Sequence, residues 1–172
     1  MNRLLLRRLS MGVLITAGVG PLSCAEPRSR PVPQPDVPIV GQSQDVVERV
    51  IQAHNEERGR RGLGPLSRDD DLEAAAMVHA RDMASRRKMA HKGSDGSSPF
   101  DRMKRQGYDF GAAAENVAYG FDDVESVMAG WMRSPGHKRN ILGKFSEIGV
   151  GRAIATDGAS CWCITFGTPA TR

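Results

Sequence analysis

Residues 147 to 167, EIGVGRAIATDGASCWCITFG, constrain the fold more than any other part of the chain. Asp157-Gly158 is the strongest short hairpin signal in the sequence, and a strand-like run lies on either side of it. In the second run Cys161, Cys163 and Thr165 point one way, while Trp162, Ile164 and Phe166 point the other. Neither set is strongly polar, so this strand needs cover on both faces. In the first run Gly149, Gly151, Ala153 and Ala155 make a face of small residues, which permits close approach of a helix. The implied architecture is α+β: a small, mostly antiparallel sheet between helical layers.

Helical spacing upstream supplies those layers. Val46, Val47, Val50 and Ile51 recur at the helical period, and the pattern ends in Gly59 and Gly62. Ser67 and Asp70 resemble a capping pair ahead of Leu72, Ala75, Ala76, His79, Ala80 and Met83, which line one helical face. Ser98-Pro99 gives a cap and a first-turn proline for a third helix that stops at Gly107. A fourth is marked by Val124, Val127, Met128 and Trp131. No internal repeat is apparent, and residues 44–168 read as one domain.

What precedes that domain sets its compartment. Arg3, Arg7 and Arg8 stand ahead of an apolar run from Leu9 to Val19, and small residues follow at Ser23 and Ala25. This is the layout of an export signal over residues 1–25, and the run is too short for an ordinary membrane span. Two exits are open: cleavage after Ala25, or lipidation of Cys24 in the manner of a bacterial lipoprotein, the one route to membrane association. Residues 26–43 hold five of the ten prolines and read as a semi-rigid spacer, extending at about 3.1 Å per residue.

Charge and cysteine usage exclude other classes. Without the three leader arginines, 21 basic side chains face 20 acidic ones, a net of +1 that gives no electrostatic case for nucleic acid. Cys161 and Cys163, two apart on a strand, would form a strained bridge, so two small buried hydrophobes are expected, with a strained or redox-active pair as the alternative.

The candidate chemistry centres on GWMRSPGHKRNIL, residues 130 to 142. Ser134 is a natural N-cap and Pro135 a natural first helical residue, which puts His137 in the first turn near the positive end of the helix dipole. That field favours the neutral ring, able to accept a hydrogen bond, act as a base or bind a metal. The alternative is a histidine that satisfies backbone groups around the break. His91 lies in the polar loop MAHKGSDGSSP, and Glu115-Asn116 interrupts the apolar GAAAENVAYGF. A carboxylate in such a run calls for a partner, because burying it alone is costly. His91, His137 and Glu115 could converge on a divalent metal such as Zn, although no His-Glu-x-x-His helix supports this. His54, His79, Trp131 and Tyr119 read as packing residues. Covalent catalysis has poorer support: Ser134 is committed to capping and no Gly-x-Ser-x-Gly elbow is present.

Six segments in order carry a resemblance: HNEERGRRGLGPL, LEAAAMVHARDMA, HKGSDGSSPFDRMKRQGY, ENVAYG, WMRSPGHKRNIL and EIGVG. Together they are similar to the CAP superfamily of cysteine-rich secretory, venom-antigen and pathogenesis-related proteins, in its bacterial SCP-like branch, across nearly all of residues 46–167. The resemblance implies an α-β-α sandwich with a cleft lined by two His and two Glu, in places holding Zn. His91 and His137 match the two histidines, and Glu115 matches the glutamate of the Glu-Asn-Leu/Val-Ala element. The second family glutamate falls three residues after the Trp, where this chain has Ser134. The set is incomplete, and Glu147 is the candidate replacement carboxylate.

The expectation is therefore an exported monomeric protein, periplasmic, envelope-held or extracellular. It would act without catalysis, binding an envelope, lipid or peptide ligand in a cleft formed by His91, Glu115, His137, Ser134 and Glu147. The competing class is a metal-assisted hydrolase of peptide or cell-wall material, with His91 and His137 on the metal.

Overall fold

The computed structural model describes residues 13–14 and 43–171. Apart from positions 13 and 14, the leader with Cys24 and Ala25, and the spacer up to residue 42, lie outside the described residues. The elements run β1 (Val13–Leu14), α1 (Gln44–Gly59), β2 (Ser67–Arg68), α2 (Asp70–Arg86), α3 (Pro99–Gln106) and β3 (Phe110–Tyr119), followed by α4 (Val124–Arg133), α5 (Pro135–Ile141), β4 (Glu147–Ile154) and β5 (Ser160–Pro169). They build one sheet in the order β1-β3-β5-β4-β2, antiparallel throughout except where β2 meets β4.

The hairpin forms at the expected place. β4 and β5 pair from Glu147↔Gly167 to Ile154↔Ser160, and Gly158 takes the left-handed conformation, φ +83°, that the turn requires. Both faces of β5 are covered. On one, Trp162, Ile164 and Phe166 pack with Val50 of α1, Trp131 of α4 and Ile141 of α5. On the other, Cys161 and Cys163 meet Ala76, Ala80 and Met83 of α2. Each large apolar side chain buried this way stabilises the fold by about 1.5–3 kcal/mol.

The small-residue face of β4 is what seats α2. A Cβ added at Gly149 would stand 2.2 Å from the carbonyl carbon of Leu72, and one at Gly151 would stand 2.4 Å from that of Ala76. Helix backbone and strand backbone are thus in direct contact, which only glycine allows.

The caps follow sequence with one change. Ser98 and Asp101 form a capping box on α3, and Gly107, φ +108°, ends it. At α2 the cap is Asp69, whose carboxylate accepts from the Leu72 amide at 2.8 Å, instead of the expected Ser67 and Asp70 pair. The reason lies in the sheet: Ser67 belongs to β2, opposite Glu147, and its amide donates to the Ser146 carbonyl at 2.9 Å. The chain must leave the sheet before a helix can start.

Candidate functional site

β3 places two adjacent polar residues on opposite sides of the sheet, and these two organise everything around the candidate site. Strand alternation sends Glu115 toward α2 and α3, and Asn116 toward α5. Glu115 is 2% exposed, yet neither of its oxygens is left bare. Oε1 accepts from Nδ1 of His91 at 2.8 Å, and Oε2 accepts from Nη2 of Arg102 at 2.6 Å, with the Cys163 thiol 3.3 Å away. Burial pushes the carboxyl toward protonation. The His91 hydrogen bond and the Arg102 charge outweigh that, and it sits below the usual carboxylate range.

Arg102 does more than neutralise Glu115. The same guanidinium donates to the carbonyls of Ser97 and His91, both at 3.1 Å, so it ties the loop bearing His91 to β3. His91 stays partly accessible at 19% of its side chain. Beside it opens a cavity of about 340 Å³ lined by His91, Lys92, Gly96, Ser98, Pro99, Phe100 and Glu115.

On the other side of β3, Asn116 donates to the His137 carbonyl at 3.1 Å, and Asn140 donates to Asn116 at 2.8 Å and to the Glu115 carbonyl at 3.2 Å. Arg58 clamps the far end of α5 through the carbonyls of Ile141, 2.9 Å, and Gly143, 2.8 Å. His137 is held in place by its backbone. Its ring is fully buried, and neither ring nitrogen has a hydrogen-bond partner among the described residues. Burial, assisted by the charge of nearby His91, lowers its pKa to about 4, so the ring is neutral near pH 7.

Ser134 and Glu147 do not join this group. Ser134 occupies the N-cap position of α5 but makes no side-chain capping bond, contrary to expectation; it is also the C-cap of α4, and its amide donates back to the Trp131 carbonyl at 3.0 Å. Glu147 pairs across β4 with Gly167 of β5, two strands and two residues from Glu115, about 12 Å by strand spacing. Its carboxylate accepts from the Tyr108 hydroxyl. It does not replace the missing carboxylate.

The donor set does not fit a preformed metal centre. Among the described residues no group of three His, Cys, Asp or Glu side chains is placed to hold an ion, and the oxygens of Glu115 are already engaged by His91 and Arg102. Among the described residues no cysteine lines the cavity. Burial pushes the Cys163 thiol well above its ordinary value, with the Glu115 charge acting the same way. His54 and His79 pack as read: His54 Nδ1 donates to the Val50 carbonyl at 2.7 Å, and Nε2 of His79 lies 2.6 Å from the Ala90 carbonyl. Arg102, Cys163, Asn116 and Asn140 are the site residues that sequence reasoning missed.

Comparison with known proteins identifies the family and the fold. YkwD of Bacillus subtilis is 37% identical over 120 residues, 69% of this chain and 46% of that protein, so the chain spans under half of that relative. An outer surface protein of Borrelia burgdorferi superposes with a TM-score of 0.70 at 25% identity, covering 75% of this chain and 96% of the other. An extracellular SCP-domain protein of Bacillus anthracis gives 0.65 at 27% identity over 72% of this chain and 40% of its own. Residues 51–166 match the cysteine-rich secretory protein family, and the chain belongs to that CAP family.

Proposed function

We propose that this CAP domain is an exported binding module that works without covalent or hydrolytic chemistry. It receives a ligand in the cavity beside His91 and Glu115. The observation that carries the reading is the neutralised pair at its base: Arg102 cancels the charge of Glu115, and His91 caps the other oxygen at the cavity wall. Such a floor holds fixed donors and acceptors whose own charges cancel, beside the one cation that Lys92 brings to the cavity wall, which suits recognition. A histidine held near pKa 4 is poorly matched to proton transfer near neutral pH. The named locations of the Borrelia and Bacillus anthracis relatives, outer surface and extracellular, support export of this chain too.

Native mass spectrometry on protein recovered from its own cell envelope tests the reading. A bound mass present in the wild type and lost in Glu115→Gln supports it. Steady turnover of peptidoglycan fragments or peptides that disappears in His137→Ala would replace it with the hydrolytic alternative, for which the two unpartnered ring nitrogens of His137 are the supporting observation.

A further inference from the structure

The two charged residues in the cavity wall are used unequally. Glu115 is the one carboxylate among the described lining residues, and both of its oxygens are taken, Oε1 by His91 and Oε2 by Arg102. Nothing in that group is left to receive a cation. Lys92 stands in the same wall, exposed, and makes no ion pair among the described residues. Its Cε lies 3.8 Å from the position of a Cβ on Gly96, so its stem runs over that glycine within the wall. The backbone on either side is fixed. Arg102 donates to the His91 carbonyl at 3.1 Å, the Gly93 amide donates to the Ser97 carbonyl at 2.9 Å, and the Asp82 carboxylate accepts from the Ser94 amide at 3.1 Å. A side chain carried on a fixed backbone loses less freedom when it pairs with a ligand.

We infer that the cavity takes a compact monoanion, a carboxylate on an apolar body, and that Lys92 determines the charge it accepts. Charge complementarity sets the sign: the wall's carboxylate is spent on Arg102 and His91, whereas its ammonium is not. A cationic ligand would meet Lys92 with no acceptor to offset the repulsion, and a neutral ligand of the same shape gains nothing from it. Pro99 and Phe100 supply the apolar side. Volume sets the size, since 340 Å³ holds about a dozen groups at the roughly 30 Å³ that one water occupies in the liquid. A free acid and the C-terminus of a short peptide ending in an apolar residue share this chemistry. The inference rests on the reading of the cavity as a binding site and names its ligand class.

The test titrates the full chain with 4-phenylbutyrate, 4-phenylbutanol and 4-phenylbutylamine, one apolar body with three head groups, and follows backbone amide shifts by NMR. The acid is expected to shift amides of residues 91–100 with a Kd of about 1 mM, the range for a ligand of this size. It should bind at least about threefold tighter than the alcohol, with the amine weakest. In Lys92→Gln the acid should fall to the level of the alcohol, and in Lys92→Arg the preference should return. Lys92 is exposed, so neither substitution should move the urea midpoint. N-acetylphenylalanine binding tighter than 4-phenylbutyrate supports the peptide source, and weaker binding supports the free acid. Equal affinity for acid and amine, an acid preference that survives in Lys92→Gln, or no shift at residues 91–100 with about 10 mM acid overturns the inference. If it is overturned while the mass lost in Glu115→Gln is present and proves neutral or cationic, the cavity reading stands without it. Absence of both probe binding and bound mass overturns both.

Discussion

The two halves of the sheet are held by different physics. Around β4 the fit is steric: Gly149 and Gly151 let strand and helix backbones touch, and no charged side chain is needed to seat α2 there. Around β3 the fit is electrostatic: a buried carboxylate, a buried guanidinium and two asparagines lock the strand to α3 and α5. Shape cannot be re-partnered without rebuilding a core, whereas hydrogen bonds can be traded for those of a ligand. The candidate site sits in the half that can trade.

Removing one charge should break this contrast most severely. Arg102→Met leaves Glu115 buried without its cation, and urea unfolding should show a loss of about 3–5 kcal/mol. Adding Glu115→Leu should recover a large part of that loss, since replacing both partners removes the uncompensated charge. On the steric side, Gly149→Ala should cost about 1–3 kcal/mol with no compensating single substitution, because the new Cβ meets main chain. Should Gly149→Ala be neutral, the steric account of that half is wrong.

Acid sharpens the comparison further. His54 in the apolar core and His137 at the site both have pKa values lowered to about 4 from an unfolded value near 6.5, chiefly by burial. The unfolded chain therefore takes up these protons first. Stability is unaffected above about pH 6.5 and falls as the pH drops toward 4, by up to about 3 kcal/mol for each ring. Urea midpoints measured across this range should flatten in His137→Gln and keep the slope contributed by His54. The smallest effect separates two caps: Ser98→Ala should lose about 1 kcal/mol, while Ser134→Ala should stay within about 0.5 kcal/mol, since its hydroxyl caps nothing.

The steric half was legible in the sequence, because alternation on β5 and the Gly-x-Gly on β4 are local patterns that geometry turns directly into a hairpin and a helix seat. At the site, the polar loop around His91 and the isolated Glu115 were legible as groups needing partners. Their partner was not: Arg102 stands beside Met103 on a short charged helix, and only the fold shows that its head turns inward. β3 also escaped the pattern, since GAAAENVAY carries one buried polar residue on each otherwise apolar face and shows no alternation. Glu147 looked available beside a buried strand, yet its place two strands from Glu115 depends on sheet order, which local spacing does not encode.

Both described thiols are sealed inside the domain, where burial pushes Cys161 up to about 12 and Cys163 well above its usual value. In the native state they are shielded from oxidants in the solvent. The hazardous interval is therefore the time before the hairpin closes: in an oxidising medium, slow folding would let these sulfurs cross-link between molecules. A chain with this tail gains protection only by collapsing faster than its surroundings can capture it.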